Sequence, residues 1–267
     1  MVKRYIKRIL LYFGYHILRL YYCDFRADDS IKKILKFKNI KSKKCIIFDV
    51  GANIGQSVER FRNYLPNANI YSFEPYLPVF EILKEKEKTD KNLECFNFGL
   101  GSTKGVFPFY RNPDSGSNSF YKINIQGESF LISNSKVGKK NHNKTTPKEV
   151  LEFNSKINVS VDTLDNICKK KGIKKIDILK IDTQGFEAEV LKGASNMLKN
   201  IFIIELEIIF SDIYKKSSSI GAIESLLSNY GFNLWEISYI GKYATNKYNR
   251  INFIDAQFVN LNMLKKK

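Results

Sequence analysis

Asp49, Gly51, Asn53 and Gly55 are residue types a chain uses to hold a small charged ligand. They lie in Cys45-Ile46-Ile47-Phe48-Asp49-Val50-Gly51-Ala52-Asn53-Ile54-Gly55-Gln56, whose apolar first half reads as a buried parallel strand. A second apolar run, Ile70-Tyr71-Ser72-Phe73-Glu74-Pro75, ends in a carboxylate about twenty residues past the first glycine. Glycines let a backbone approach a ligand, and a carboxylate at the second strand end accepts from two ribose hydroxyls. Dinucleotide sites use G-x-G-x-x-G, so that a pyrophosphate sits on a helix N-terminus. Here the spacing is G-x-x-x-G, with Asp49 two residues ahead of Gly51. An acid in that loop suits a cation better than a diphosphate. S-adenosylmethionine (SAM), with an amino group and a sulfonium, is such a ligand. The competing reading is a tight strand-to-helix turn capped by Asn53.

Further polar residues fall at strand ends. Asn97 and Gly99 close a third apolar segment, where Asn97 either bonds a purine edge or caps a turn. Leu179-Lys180-Ile181-Asp182-Thr183-Gln184-Gly185-Phe186-Glu187 ends a fourth, and Asp182 is its candidate catalytic or metal-binding carboxylate. In Ile203-Ile204-Glu205-Leu206-Glu207 two acids share one face of an apolar strand. Buried carboxylates cost several kcal/mol unless paired or coordinated. Asp182, Glu205 and Glu207 are therefore candidates for a Mg²⁺ site or for a base with a substrate clamp. The alternatives are a helix cap for Asp182 and pairing with lysines such as Lys180. The catalytic set read from sequence is Asp182, Glu205 and Lys180. The cofactor set is Asp49, Gly51, Asn53, Gly55, Glu74, Asn97 and Gly99.

These residues need a scaffold that brings strand ends together. Strands near 45–50, 69–74, 93–98, 176–181 and 201–207 alternate with helices near 55–65, 76–88, 163–171, 186–198 and 219–230. Such alternation predicts an α/β fold with a doubly wound, mostly parallel sheet, whose ligands bind beyond the strand C-termini. Segments 232–238 and 251–259 read as a final antiparallel hairpin with an edge position. One domain spans 44–262, with a further strand near 105–110 and an insertion at about 111–157, rich in Ser, Asn, Lys and Gly, before the fourth strand. Long insertions of this kind are functional or disordered. This one is expected to form a lid or substrate wall, with Ser117, Asn118 and Ser119 near the ligands. Residues 1–43 form a basic helical extension. Its first 22 residues are amphipathic and are expected either to lie on an anionic membrane face or to pack on the domain or a dimer partner.

The chain has 267 residues and a net charge of +17. Residues 1–45 carry 13 Lys/Arg against 3 Asp/Glu, and residues 135–175 carry 11 Lys against 4 Asp/Glu. Those two blocks hold the whole excess, which fits an anionic surface or substrate, or else a lysine-rich genome. Cys23, Cys45, Cys95 and Cys168 show no metal spacing and read as reduced thiols of a cytoplasmic protein. Two histidines cannot build a histidine-rich metal site.

Together DVGANIGQ (49–56), FEP (73–75), NFGLG (97–101), TLD (163–165), LKIDTQGFEAEVLKGA (179–194), IELE (203–207) and the GF pair (231–232) resemble the FkbM family of class I SAM-dependent methyltransferases. The resemblance runs from about 45 to about 258. It implies a Rossmann-like fold and O-methylation of hydroxyls on sugars, glycan or glycolipid intermediates and macrolide-type products. It implies SAM contact by Gly51, Asn53 and Glu74, and an active-site role for Asp182. Many relatives carry Glu where this chain has Gln184, so no carboxylate role transfers there. The expected partner is a sugar or glycan, phosphorylated or lipid-linked, with peripheral contact at the inner membrane face and a homodimer as further expectations. The rivals are a nucleic-acid methyltransferase, against which stands the lack of an N-P-P-Y type motif for a flipped base, and a non-catalytic membrane-associated module.

Overall fold

The computed structural model describes residues 29–36, 40, 45–134, 152–242 and 250–265. The amphipathic segment 1–22 and the centre of the insertion lie outside the described residues. The part of the extension that is described, helix α1 (29–36), buries Ile31, Ile34 and Leu35 among the core residues of the main sheet.

The apolar runs become strands because both of their faces are covered. The central sheet contains β1 (Ile46–Val50), β2 (Asn69–Phe73), β3 (Leu93–Phe96), β7 (Ile176–Ile181), β8 (Ile201–Ile209), β9 (Phe232–Gly241) and β10 (Phe253–Asn260). Their order is β3-β2-β1-β7-β8-β10-β9. The first five are parallel, and β10 runs antiparallel between β8 and β9. Phe48, Leu179 and Ile204 pack on one face, while Ile47, Ile178 and Ile203 pack on the other. Covered on both sides, such strands lose the alternation of a half-exposed sheet. The expected hairpin forms, with β9 at the edge. Helices α2 (Gln56–Tyr64), α3 (Leu77–Glu87), α5 (Leu164–Lys171), α6 (Glu187–Lys192) and α7 (Ile220–Ser228) connect the strands, and α8 (Leu261–Lys265) follows β10.

Three departures from the sequence reading have physical causes. The strand expected near 105–110 does not join the central sheet, and neither does the segment at 159–161. They belong to β5 (Gly105–Arg111) and β6 (Ser155–Asp162), which with β4 (Gly99–Leu100) form a separate sheet of order β4-β6-β5. Arg111 pairs with Ser155, so the insertion leaves and returns at adjacent strand ends. It carries helix α4 (Glu128–Asn134). The third strand is shorter than 93–98, because Asn97 turns away to bond the backbone after β2. The helix expected over 186–198 stops at Lys192 and is followed by a single 3₁₀ turn, Leu198–Asn200. At Gly193 the backbone of Gly101 crosses so closely that an added Cβ would meet the Gly101 carbonyl oxygen at 1.9 Å. The φ of Gly193, −74°, suits any residue, so the requirement is space. Gly193→Ala is expected to cost about 2 kcal/mol or more, as overpacking against backbone does. Chemical denaturation would read this as a lower midpoint at unchanged slope.

Candidate active site

The register of the sheet sets charged residues side by side inside it. Asp49 on β1 pairs with Lys180 on β7, and Lys180 pairs with Glu205 on β8. By the period of two, all three project from the face that carries Ile47, Ile178 and Ile203. Lys180 Nζ lies 3.5 Å from Asp49 Oδ1 and 3.4 Å from Asp182 Oδ2. Arg60, from α2 above this face, places Nη2 2.5 Å from Glu205 Oε1. Asp49 is fully buried, and neither of its oxygens accepts a hydrogen bond of ordinary length. Burial pushes the Asp49 carboxyl up from its usual range, while Lys180 and Arg60 pull it back. Burial lowers the Lys180 ammonium, but Asp182, Asp49 and Glu205 together outweigh it and hold it above its ordinary range. Lys180 therefore stays charged, and its part is electrostatic rather than proton transfer. Glu205 is tied to Arg60, which removes it from the front rank of bases. Breaking one partner of a buried pair typically costs about 3–5 kcal/mol. Lys180→Met is expected to lose about 3 kcal/mol at pH 7, and adding Asp49→Asn to restore part of it, read by denaturant titration of the two variants.

Above this row, at the C-terminal strand ends, a cavity of about 350 Å³ opens. Gly51 and Asn53 form one wall and Glu74 another. Gly51 has φ +78°, and a Cβ there would meet the Asp182 carbonyl oxygen at 1.9 Å. Its glycine is thus required by the neighbouring β7 end as well as by its place in the wall. Both Glu74 oxygens accept backbone N–H groups, from Asn53 at 3.1 Å and Tyr76 at 2.8 Å. Burial outweighs these bonds and raises the Glu74 carboxyl to about 7. Gly99 is also in the wall, and a Cβ on it would meet Phe120 Cζ at 2.7 Å.

The opposite wall is carboxylate-rich. Asp182 and Glu207 are bridged by Gln184, whose Nε2 donates to Asp182 Oδ1 at 3.0 Å and to Glu207 Oε2 at 2.7 Å. Burial, then Asp182 and Asp255, raise the Glu207 carboxyl well above its usual range. Asp255, paired with Glu207 across β8 and β10, is raised to about 7 by burial and then by Glu205 and Asp182. The cavity wall thus holds five acids, Glu74, Asp182, Glu205, Glu207 and Asp255, against the two bases Arg60 and Lys180. That excess fits a cationic ligand such as the sulfonium of SAM. Among the described residues, no group of three His, Cys, Asp or Glu side chains is placed to hold a metal ion. The Gln184 amide stands between Asp182 and Glu207, two of the three residues read as Mg²⁺ ligands.

Several sequence-derived site residues lie elsewhere. Asp49 is beneath the cavity and not in its wall, because the strand pleat turns it toward Lys180. Gly55 is absent from the wall. It caps α2 at φ +87°, against Lys86 and Leu83. Asn97 also misses the wall, because its amide donates to the carbonyls of Glu74 and Pro75 and holds that turn. In the insertion, Asn118 lines the cavity, but Ser119 is fully buried and donates to the Gln184 carbonyl at 2.8 Å. Arg60 and Asp255 were not singled out from the sequence. Arg60 lies beside Glu59 and Arg62, which reads as a solvated helix face. Asp255 and Gln257 did carry a signal, being polar at i and i+2 in an apolar strand, as Glu205 and Glu207 are.

Glu187 shapes the turn that aims Asp182 and Gln184. Its Oε1 accepts from Thr183 N–H at 3.1 Å, Thr183 Oγ1 at 3.0 Å and Gly185 N–H at 3.0 Å. Burial raises its carboxyl to about 7. A carboxyl raised in the fold supports stability fully below its unfolded pKa, about 4.5, and this support is lost as pH rises through about 7. Glu187→Gln, which keeps the acceptor oxygen, is expected to gain up to about 3 kcal/mol over the parent at pH 8 and little at pH 4.5. Thermal denaturation across that range would show the two curves diverging as pH rises.

A mostly parallel sheet with an antiparallel strand inserted before its edge, and an acid-lined cavity at the strand C-termini, define a class I, Rossmann-like methyltransferase. The family model "Methyltransferase FkbM domain" matches residues 49–234. The chain belongs to the FkbM methyltransferase family and is a SAM-dependent methyltransferase. It is 25% identical over 231 residues to the 2-O-methyltransferase NoeI of Sinorhizobium fredii, covering 86% of this chain and 90% of that protein. It is 23% identical over 186 residues to the hexuronic acid methyltransferase AglP of Haloferax volcanii, covering 69% of this chain and 64% of that protein. The crystal structure of the methyltransferase FkbM from Methylobacillus flagellatus aligns at a TM-score of 0.48 and 11% identity, over 81% of this chain and 44% of that one. No described helix is long and apolar enough to cross a membrane.

Proposed function

We propose that the protein methylates a hydroxyl of a sugar in a glycan or glycolipid intermediate, with Asp182 as general base. The observation that carries this reading is that Asp182 and Glu74 line the same cavity. The names of two relatives, a 2-O-methyltransferase and a hexuronic acid methyltransferase, support a sugar acceptor. When bound, SAM supplies a methyl group already activated on a sulfonium. The chain has to position the acceptor and take its proton. Glu74 would hold the ribose, and the Gly51–Asn53 loop the methionine end. A sugar hydroxyl is a poor nucleophile at neutral pH and needs a base. Asp182 suits that task because it is part-exposed, at 37%, while Glu205 is paired with Arg60 and Lys180 stays charged. Asp182 would take the hydroxyl proton as the acceptor oxygen is methylated. Lys180 steadies Asp182 before transfer. An acceptor on a phosphate or lipid carrier is supported only by the lysine block at 135–175.

Measurements of SAM binding, turnover and acceptor choice test this reading. Glu74→Ala should weaken SAM binding about 10- to 100-fold by titration calorimetry, the size of one or two lost charge-assisted hydrogen bonds. Wild-type affinity for SAM should also fall below about pH 7, as the Glu74 carboxyl protonates. Asp182→Asn should lower kcat by about 10²–10⁴ on a glycan acceptor while SAM affinity holds within about twofold. A kcat that survives Asp182→Asn would remove Asp182 as the base. An acceptor screen that yields methylated amines or bases and no methylated sugar would overturn the substrate class.

A further inference from the structure

The edge of the central sheet at β9 is apolar and open. Leu234, Trp235, Ile237 and Ile240 are between 39% and 47% exposed there. We propose that residues 1–22 of this chain dock across β9 and cover this stripe.

Register makes these side chains one surface. Leu234, Ile237 and Ile240 pair with Phe258, Ala256 and Ile254 of β10, all of which belong to the same core cluster as Ile223 and Leu227 of α7. Residues directly opposed on neighbouring strands project from the same face. The β10 half of the row is buried and the β9 half is open. Long apolar edges of this kind invite association unless something blunts or covers them. β9 carries two register shifts, which leave Trp235 and Ser238 as extra residues. Such bulges twist an edge away from a second strand, so they oppose strand addition by another copy. They leave the side chains available to a helix instead.

The chain itself supplies a cover of suitable length and chemistry. Helix α1 packs on the opposite face of the sheet, in the core cluster of Ile203 and Val259. Asp29, at its start, bonds Lys33 at 2.6 Å. The Asp29 carboxylate, and then Glu236 on β9, hold the Lys33 ammonium above its ordinary range. The first turn of α1 therefore lies near β9, and the chain before it enters at this edge. Residues 1–22 carry Ile6, Ile9, Leu10, Phe13, Ile17 and Leu20 at helical spacing, with Lys3, Arg4, Lys7 and Arg8 toward another side. A helix of that length would run about 33 Å, and a strand of ten residues runs about as far. Residues 23–28 can span about 20 Å, enough to round one strand. The connection from β9 to β10 cannot serve as the cover. Residues 243–249 must return to Arg250, and so few residues do not reach back along the strand to Trp235.

Trp235 is the only tryptophan of the chain, so its emission reads the stripe directly. The test uses the full chain without lipid, and a full-length variant carrying Ile9→Glu and Phe13→Glu. Acrylamide should quench Trp235 about threefold or more strongly in the variant, with emission shifted to the red and SAM affinity held within about twofold. A photoreactive p-benzoylphenylalanine at position 13 of the otherwise unaltered chain should cross-link to the peptide of β9 within one chain, read by mass spectrometry of the monomer band. This second measurement decides the matter if the double variant fails to fold. Equal quenching in the two chains would overturn the proposal. So would the absence of a cross-link to β9, or a cross-link that joins two chains. Protection of Trp235 that requires phosphatidylglycerol vesicles would assign the segment to a membrane surface and would overturn the proposal as well.

Discussion

Lys180 is an ammonium held inside the sheet, 12% exposed, between two buried or half-buried acids, and the rest of the site depends on it. Without a cation at that level, Asp49 would be a buried acid offset by Arg60 alone, and β1 and β7 could not pair in this register at low cost. With it, Asp49 can lie under the glycine loop and Asp182 can stand at the strand end facing the cavity. Arg60 does the same for Glu205 from the helix above. The result is a polar layer through the middle of an otherwise apolar sheet. It sits directly below the place where a cationic cofactor would rest.

That layer explains the division of labour among the carboxylates. Acids matched to a base, Asp49 and Glu205, serve the frame. Acids crowded against one another, Glu207 and Asp255, are raised by burial and then by their acidic neighbours, Glu207 well above its usual range and Asp255 to about 7. Asp182 lies between the two groups, steadied by Lys180 and Gln184 and open to solvent on one side. An amide at Gln184 in place of a further acid relieves the crowding. Its NH2 donates to two carboxylates at once, which a glutamate could not do even when protonated, since it then carries a single O–H.

The described part of the insertion contributes through packing. Phe120 stacks on Phe186 at 4.5 Å and meets Phe109 at 5.0 Å, which anchors the insertion to the turn after β7. Ser115 Oγ lies 3.3 Å from Asn53 Oδ1, joining it to the glycine loop. These contacts close one side of the cofactor cavity, and the insertion also lines a second cavity that shares Gln184 and Glu207 with the first. One segment therefore borders both cavities.

Local pattern was enough for part of this protein. The apolar runs ending in Asp49, Glu74, Asp182 and Glu207 were legible because a strand covered on both faces must be apolar throughout, and each polar residue at its end stands out. The fold class and the family followed from those ends and their loops. The roles of the polar residues did not follow. Asp49 looks like a ligand contact in the sequence, but strand register turns it to Lys180, which the sequence offers both as a catalytic residue and as a partner for carboxylates. Gly55 and Asn97 look like cofactor contacts, and they serve a helix start and a turn. Arg60, 145 positions from Glu205, carried no sequence sign of their pairing. A sequence displays which residues sit at strand ends, because burial acts on each segment separately. Which of them meet one another is decided by register and by helix placement over the sheet. Those are properties of segments distant in the chain, so only the tertiary structure decided them.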